Sequence, residues 1–373
     1  MHRPVHLCFI LAASLFGSAA WPDAASPARN LVLVTLDGVR VQEFFGGLDE
    51  ALAQRDALDE YSEIATARER YDAGSPQARR LKLWPNLWGR LAPQGIVLGN
   101  PAHGNSVQVQ NAVAWSSPGY VEMLTGAPRA EVVDNALVHY PYTTALEHAH
   151  QALGLEFQRT ALIGAWDGFN TAAASRADAF LMVGGHGTVP APFSTPEIDL
   201  VAGLRANVLG LWEEGSDQWL TWVMAREYLT VRQPRILWLA LGSTDDWAHA
   251  DRYDRYLEAL HQQDRIIGEL WDLLQSMDAY RDTTTLLITT DHGRGRTGED
   301  WAEHDIAIPG SSDIWLFAIG PDTPAAGEVT TPGETFQGQL AATMLEALGL
   351  DPVAWRSDAL PAFPGVIVHG AGD

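Results

Sequence analysis

The sequence predicts a layered α/β fold, and two patterns support this prediction. Short runs rich in Val, Ile and Leu alternate with longer segments in which apolar residues recur at helical spacing. Such alternation is typical of a sheet covered by helices. The 373 residues, 46% of them hydrophobic, are enough for one large core or two modest ones. This excludes intrinsic disorder and small peptide-like scaffolds.

Strands are predicted wherever a short β-branched or leucine-rich run occurs, namely at residues 30–36, 95–98, 160–163, 179–183, 235–241, 284–290 and 314–319. Helical spacing predicts helices at residues 85–91, 118–124, 216–229, 252–276 and 335–348. The clearest of these is 252–276, in which Tyr256, Leu260 and Ile267 fall on one face with charged residues between them.

Two further segments are expected to stand apart from the layered domain. Residues 43–82 are rich in Glu, Asp and Arg and predict a helical insertion, which is either a solvated surface hairpin or a lid near the site. From residue 351 to residue 373 the chain is rich in Pro, Ala and Gly, which predicts a loosely held C-terminal tail.

Residues 1–20 have the pattern of a cleaved secretory signal. Arg3 is followed by the largely apolar stretch 5–16 and by the small residues Ser18-Ala-Ala20. A buried N-terminal helix is the alternative. No later run approaches 18 apolar residues, so we expect a secreted, periplasmic protein without a stable membrane anchor. The one cysteine, Cys8, lies inside the signal, so a metal site would need His, Asp, Glu or hydroxyl ligands.

The charge balance bears on the class of ligand. Lys and Arg number 24 against 47 Asp and Glu, which gives a formal net charge of −23. A surface of this sign repels a polyphosphate backbone, so nucleic-acid scaffold binding is not expected. A small phosphorylated substrate could still be held locally. The sequence does not indicate an oligomeric state.

Metal-capable side chains follow three of the predicted strands. Asp37 follows the first, Asp245 and His249 follow the run 236–241, and Asp291-His292 follow the run 285–290. Ligands of open α/β sheets bind at the carboxyl ends of the strands, so these side chains are expected to meet in one place. Mixed carboxylate and imidazole ligands suit Zn²⁺ or a similar divalent ion.

Read together, six motifs resemble those of one enzyme superfamily. They are Val34-Thr-Leu-Asp37-Gly38, Pro85-Asn-Leu-Trp-Gly-Arg-Leu91, Ser116-Ser-Pro118 with Thr125-Gly126, Asp245-x₃-His249, Asp291-His292-Gly293 and His304. Over roughly residues 30–320 the chain resembles the alkaline phosphatase superfamily, the two-metal phospho- and sulfohydrolases. Within the superfamily it resembles the type I phosphodiesterase/nucleotide pyrophosphatase branch. The resemblance implies a catalytic domain at residues 28–350, a three-layer αβα sandwich with a largely parallel central sheet.

The resemblance also implies a ligand set for two divalent metal ions. Zinc is favoured, with Mn²⁺ or Fe as alternatives. One site would use Asp245, His249 and His304. The other would use Asp37, Asp291 and His292, with the Ser116 hydroxyl bridging toward the metals. Asp246 rivals Asp245 as a ligand, but the four-residue spacing to the histidine favours Asp245.

Ser116 is the predicted nucleophile. It lies two residues before Pro118 and nine before Thr125, as the nucleophile of the family does, whereas Ser117 fits neither count. The alternative is that both serines only cap the helix. Sulfatases carry Cys/Ser-x-Pro-x-Arg and convert its first residue to formylglycine, and here Tyr120 replaces that arginine. This difference favours an unmodified serine and a phosphate ester.

Asn135 resembles the asparagine that the phosphodiesterase branch presents to a phosphate oxygen, although its spacing is shorter by two residues. Asp134-Asn135 could instead be a turn. The backbone amide of Ser117 is expected to be a second oxyanion donor. Arg294 and Arg296 follow the Asp-His-Gly segment and either clamp phosphate or lie on a solvated loop.

The expected function is therefore a secreted two-metal phosphohydrolase that favours phosphodiesters or pyrophosphates and forms a phosphoserine intermediate. Three alternatives remain open. One is a phosphomonoesterase or a mutase-like enzyme of the same superfamily. The others are a sulfatase and a non-catalytic binding protein. Metal content separates the last of these from the enzymes.

Overall fold

The computed structural model describes residues 30–208, 210–213 and 215–369. The predicted secretory signal, residues 1–20, lies outside the described residues. Within the described part of the chain, the strands are β1 Asn30–Leu36, β2 Ile96–Leu98, β3 Asn105–Gln108, β4 Thr160–Gly164, β5 Leu181–Val183, β6 Ile236–Leu241, β7 Thr284–Thr289, β8 Asp313–Ile314, β9 Leu316–Ile319, β10 Gly327–Glu328 and β11 Gly333–Phe336.

The helices of the same residues divide into an early, a middle and a late group. The early ones are α1 Val41–Gly46, α2 Glu50–Asp56, α3 Ile64–Tyr71, α4 Pro76–Leu83 and α5 Ser116–Thr125. The middle ones are α6 Ala145–Ala152, α7 Gly168–Ala173, α8 Pro196–Arg205, α9 Gln218–Arg232 and α10 Ser243–His249. The late ones are α11 Tyr253–Ser276, α12 Gln339–Ala347 and α13 Pro352–Trp355.

A twisted sheet of eight strands forms the centre of the described structure, in the order β10-β2-β9-β7-β1-β6-β4-β5. Five neighbouring pairs are parallel, and only β9 runs antiparallel to its neighbours β2 and β7. The strands β11, β3 and β8 form a separate small sheet. The predicted largely parallel sheet is confirmed.

Each face of the central sheet is covered by helices, because successive residues of a strand point to opposite faces. Along β1, Val32 and Val34 belong to one hydrophobic cluster, and Leu31 and Leu33 belong to the other. Helices α1, α8, α9 and α11 contribute to the first cluster, and α5, α6, α7 and α12 to the second. The strands are buried on both sides, which explains their unbroken apolar runs. This is the three-layer αβα sandwich that the sequence predicts.

Residues 43–82 do not form the predicted hairpin but carry most of α1 and the whole of α2, α3 and α4. Several of their apolar side chains are not solvated, since Phe44, Leu52 and Tyr71 are buried in the first cluster. Asp254 at the start of α11 accepts a hydrogen bond from the amide of Glu63, 2.8 Å away. The segment is therefore part of the helical layer on that face.

Two predicted helices have different bounds in the structure. Residues 87–91 form a π-helical turn, not an α-helix from Pro85. The run predicted as a helix from residue 335 starts as strand β11, and its helix α12 begins only at Gln339. None of the helices in the described part of the chain combines the length and apolar character that crossing a membrane requires.

The expectation of a loosely held tail is wrong for residues 351–369. Phe363, Val366 and Ile367 are buried in the second hydrophobic cluster. The amide of Phe363 donates to Thr343 Oγ1 at 2.9 Å, which ties the segment to α12. The composition concealed these anchors because they are few and lie among Pro, Ala and Gly.

We expect Phe363→Ala to lower the free energy of unfolding by about 3–5 kcal/mol, because it leaves a cavity in a packed core. Phe363 is 3% exposed. Chemical denaturation measures the change. Val353→Ala is the matched control, since this residue of the same segment is 79% exposed and should change stability by about 0.5 kcal/mol or less. Equal stabilities of the two variants would contradict the packed tail.

Candidate active site

The site forms where three parallel strands end side by side. Strand β1 lies between β6 and β7, and both pairs are in parallel register. Asp37 directly follows β1, and Asp291 lies two residues after β7. Asp245 lies in the first turn of α10, which begins two residues after β6. The topology thus brings together carboxylates that are far apart in the sequence.

The first cluster consists of Asp37, Asp291 and His292, all of them buried. His292 Nε2 lies 3.6 Å from Asp37 Oδ1 and 3.3 Å from Asp291 Oδ2. The other oxygen of Asp291, Oδ1, accepts a hydrogen bond from the amide of Gly38 at 3.0 Å. The structure therefore brings together the three side chains predicted for this site.

The second predicted set, Asp245, His249 and His304, also comes together. His249 Nε2 lies 3.1 Å from His304 Nε2 and 3.4 Å from Asp245 Oδ2. His292 stands between the two sets, because its Nε2 is also 3.9 Å from Asp245 Oδ1. Ligand atoms of Asp245, His292 and His304 lie within 4.8 Å of one another. The two sites are thus contiguous.

Backbone carbonyls fix the orientation of two of the imidazoles. His292 Nδ1 lies 2.9 Å from the carbonyl of Gly293, and His304 Nδ1 lies 3.0 Å from that of Ala114. A carbonyl only accepts, so each Nδ1 carries the proton and each Nε2 presents a lone pair to the site. Burial lowers the pKa of His304 to about 4 and that of His292 well below its usual value. Both rings are therefore neutral, the form that binds a metal.

The carboxylates carry more negative charge than their surroundings balance. Burial, together with the charges of Asp291 and Asp245, raises the pKa of Asp37 well above its usual value. Burial raises the pKa of Asp291 to about 7. Asp291 Oδ2 is buried and has no hydrogen-bond partner among the described residues. Crowded carboxylates beside neutral imidazoles are a donor set that fits divalent cations.

Arg294 contributes to the site in a way that the sequence did not reveal. It is neither a phosphate clamp lining the cavity nor part of a solvated loop, because it is fully buried. Its guanidinium contacts Asp245 Oδ1, and its Nε donates to the carbonyl of Gly38 at 3.2 Å. Burial alone would raise the pKa of Asp245, but Arg294 and the imidazoles of His249 and His304 together outweigh it and hold that pKa well below its usual range. Arg296 instead pairs with Asp313.

Ser116 is the first residue of α5 and faces the clusters. Its Oγ lies 3.4 Å from His292 Nε2 and 3.5 Å from Asp37 Oδ1. This approach requires Gly119 one turn later, because a Cβ there would lie 2.6 Å from the carbonyl oxygen of Asp291. Ser117 does not line the cavity. Its hydroxyl is buried without a hydrogen-bond partner among the described residues.

Of the two predicted oxyanion donors, the Asn135 side chain is available and the Ser117 amide is not. The amide of Ser117 donates to Asn135 Oδ1 at 3.0 Å, so it is already engaged and the expectation that it binds substrate is wrong. The same hydrogen bond fixes the carboxamide of Asn135 and leaves its NH₂ group as a donor. Asn135 is exposed and lines the cavity beside Ser116.

A cavity of about 390 Å³ opens over the nucleophile. Its polar side includes Ser116, Asn135 and Asp245, and its apolar side includes Trp166 and Trp212. Asp246, the rival ligand, also lines it but belongs to neither ligand cluster. No lining residue, among those that the structure describes, is Lys or Arg. None of the residues 43–82 lines this cavity either, so the segment makes no contact with it that would support the interpretation as a lid.

Comparison with known proteins shows the family of the chain and others that share its fold. The family model described as Sulfatase matches residues 107–350. No curated protein sequence matches the chain. Many solved structures share the fold.

Three of these structures illustrate the range. The phosphonate monoester hydrolase SpPMH from Silicibacter pomeroyi is 12% identical, with 92% of this chain and 78% of that one covered and a TM-score of 0.55. BT4656, solved in complex with its substrate D-glucosamine-2-N,6-O-disulfate, is 13% identical, with 92% and 82% covered and a TM-score of 0.56. A mutant of the alkaline phosphatase PafA is 10% identical, with 92% and 100% covered and a TM-score of 0.55. At these identities the likeness shows the fold alone.

We expect the purified protein to bind close to two divalent ions per chain, because two contiguous ligand clusters are present. Elemental analysis measures the content. His304→Ala should lose about one ion, whereas His186→Ala, at a partly buried histidine outside both clusters, should keep both. A protein that carries one ion, or that is as active after exhaustive chelation as before, would contradict the two-metal centre.

Proposed function

The chain belongs to the sulfatase family, within the alkaline phosphatase superfamily, and we propose that the esters it hydrolyses are phosphate esters. The enzymes of this superfamily are sulfatases and phosphatases, so the chain is a hydrolase. Metal dependence is a property of the superfamily, and the two clusters at the strand ends fit it. What remains to be proposed is the kind of ester and the role of each side chain.

The environment of Ser116 carries the preference for phosphate. The arginine of the formylglycine motif is replaced by Tyr120, which is buried on the same helix. Burial beside Asp291 and Asp37 raises the pKa of this phenol well above its usual value. Its hydroxyl accordingly donates to Asp37 Oδ2 at 3.0 Å. The side chain at position 120 thus holds the carboxylate of the metal ligand Asp37. In the proposed enzyme Ser116 stays an unmodified serine.

In the proposed reaction Ser116 Oγ attacks phosphorus while the bond from phosphorus to the leaving oxygen breaks. The product of this step is a phosphoserine. Water then breaks the bond between Ser116 and phosphorus and restores the hydroxyl. Over the cycle one water is consumed, its hydroxyl going to phosphorus and its proton to the departing alcohol. Asn135 donates its NH₂ group to a non-bridging oxygen as negative charge develops there.

The ions would be held by the residues already grouped above, with Asp37, Asp291 and His292 on the Ser116 side and Asp245, His249 and His304 on the other. Two bound ions supply positive charge that stabilises the attacking and leaving oxygens. The protein's part is orientation. Gly293 and Ala114 set the two imidazole tautomers, and Arg294 fixes Asp245.

A sulfatase is the second candidate, since the matching family model is that of the sulfatases. A sulfate ester carries one negative charge, as a phosphodiester does, so charge alone does not separate the two. The state of residue 116 does. Mass spectrometry of the peptide that contains it should give the mass of unmodified serine, and formylglycine there would move the assignment to a sulfatase.

The enzyme is further proposed to act outside the cytoplasm on a small phosphorylated substrate. The support for secretion is the pattern of residues 1–20 alone. The support for a small substrate is the size of the cavity and the net charge of −23, which repels polyanionic scaffolds.

Ser116→Ala should reduce turnover by on the order of 10³-fold or more, because the attacking oxygen is lost. Metal content and stability should stay near those of the parent protein. Ser117→Ala is the control, since its side chain is outside the cavity and only its backbone amide contacts Asn135. Steady-state kinetics measure the turnover of both variants. Loss of turnover in Ser117→Ala but not in Ser116→Ala would mean that the nucleophile is Ser117, one residue from its predicted position.

The kcat/KM for an aryl phosphodiester should exceed that for the matching phosphomonoester. A monoester dianion needs a cationic donor beyond the metals, and the described lining offers the neutral amide of Asn135 instead. Asn135→Ala should lower diesterase kcat/KM by roughly 10²-fold, the scale of losing one oxyanion donor. A panel of diester, monoester and sulfate ester with the same leaving group makes the comparison. Faster turnover of the monoester would indicate a phosphomonoesterase.

A further inference from the structure

A buried acid lies on the helix that carries the nucleophile, and the proposed reaction does not use it. Glu122 is on α5, six residues after Ser116, and is fully buried. It does not line the cavity and belongs to neither metal cluster. A buried carboxylate is expensive unless several donors satisfy it, so its contacts indicate what it does.

Most of the donors to Glu122 belong to the loop that leads into α5, and the backbone of Gly338 supplies a further one. The amide of Gln110 lies 3.1 Å from both carboxylate oxygens of Glu122. The amide of Asn111 donates to Oε2 at 2.7 Å, and the Asn111 side chain donates to the same oxygen at 3.0 Å. Burial raises the pKa of Glu122 to about 7, whereas the bonds from Gln110 and Asn111 lower it. The carboxylate form is therefore stabilised by this loop and by the backbone of Gly338.

Asn111 in turn fixes the conformation of Ala114, the residue before Trp115. Its Oδ1 accepts hydrogen bonds from the amides of Ala114, at 2.8 Å, and Val113, at 3.3 Å. Ala114 is buried and has φ of +51°, a left-handed conformation that is unfavourable for an alanine. The hydrogen bonds from the loop are what hold it there.

In this conformation the loop contacts the segment of the metal ligand His304. The carbonyl of Ala114 accepts from His304 Nδ1 at 3.0 Å. The carbonyl of Val113 accepts from the amide of Ile306 at 3.1 Å. The loop continues through Trp115 directly into Ser116 at the start of α5. One loop thus touches both the nucleophile and a ligand.

We propose that Glu122 is a positioning residue that sets the nucleophile Ser116 and the ligand His304 together by holding the loop of residues 110–115. The proposal rests on the proposed role of Ser116. It goes beyond that role because the position of both Ser116 and His304 would depend on Glu122, whose side chain touches neither of them.

Glu122→Gln is the sharpest test because it keeps size and shape but exchanges one accepting oxygen for an NH₂ group. That group would face N–H donors of Gln110 and Asn111 with no acceptor in return. We expect kcat for the best ester to fall by roughly 10-fold to 10²-fold, as for a small misplacement of reacting groups, with KM within about twofold. Zinc titration of the metal-free protein should show one of the two ions bound about 10-fold or more weaker.

Glu147→Gln is the matched control for lost stability alone. Glu147 is also a buried glutamate, and it accepts from the amides of Thr144 and Ser175 at 3.2 and 2.8 Å, away from the site. Its variant should lower Tm comparably and leave kcat and both zinc affinities unchanged. If the two glutamine variants have the same kcat and zinc binding, Glu122 is a structural residue and the proposal fails.

A second variant keeps the test decisive if Glu122→Gln folds poorly. Ala114→Gly lowers the cost of the left-handed conformation, so adding it to Glu122→Gln should restore part of the lost kcat and zinc affinity. Loss that is unchanged or larger in the double variant would overturn the role assigned to the loop. The zinc titration needs no turnover, so it still tests this proposal if Ser116 proves not to be the nucleophile.

Discussion

The meeting of three carboxylates, two of them buried and one partly buried, at one edge of the sheet is the constraint on which the rest of the structure depends. Asp37, Asp245 and Asp291 are neighbours because β1 pairs with both β6 and β7. Like charges in a low-dielectric surrounding repel strongly, so each needs a compensating partner. Arg294 supplies one to Asp245 and the Tyr120 hydroxyl supplies one to Asp37. The charge that remains is what makes the centre suited to cations.

The same constraint explains two glycines at the site. Gly38 has φ of +63°, and a Cβ there would lie 2.8 Å from Arg294 Nε and 2.9 Å from Asp245 Oδ1. Gly119 leaves room for the carbonyl of Asp291 under the nucleophile helix. Neither glycine lines the cavity. Both are glycine because compensating groups and the nucleophile must pack directly against the backbone that carries the carboxylates.

Sequence reasoning succeeded where local pattern and topology coincide. Five of the residues predicted to surround the metals, namely Asp37, Asp245, His249, Asp291 and His292, follow strands or lie on the short helix after β6, so strand order brings them together. Ser116 on α5 and His304 on a loop were predicted from the resemblance to the superfamily. Sequence reasoning failed where a contact depends on the path of a loop. Arg294 turns back to Asp245, and the Ser117 amide is taken by Asn135, and neither pairing has a periodic signal. The resemblance to the phosphodiesterase branch is more specific than the family match. The preference for diester or monoester substrates is what tests it.

The position of β1 has a consequence for how the protein is made. This strand is synthesised first among the described strands, yet both of its neighbours, Ile236–Leu241 and Thr284–Thr289, come from the later part of the chain. The helix that carries Ser116 is in turn held at its far end by Leu360, whose amide donates to the carbonyl of Gly126. Contacts so distant in sequence form slowly and late. The complete ligand set therefore cannot come together before the chain has been synthesised as far as His304.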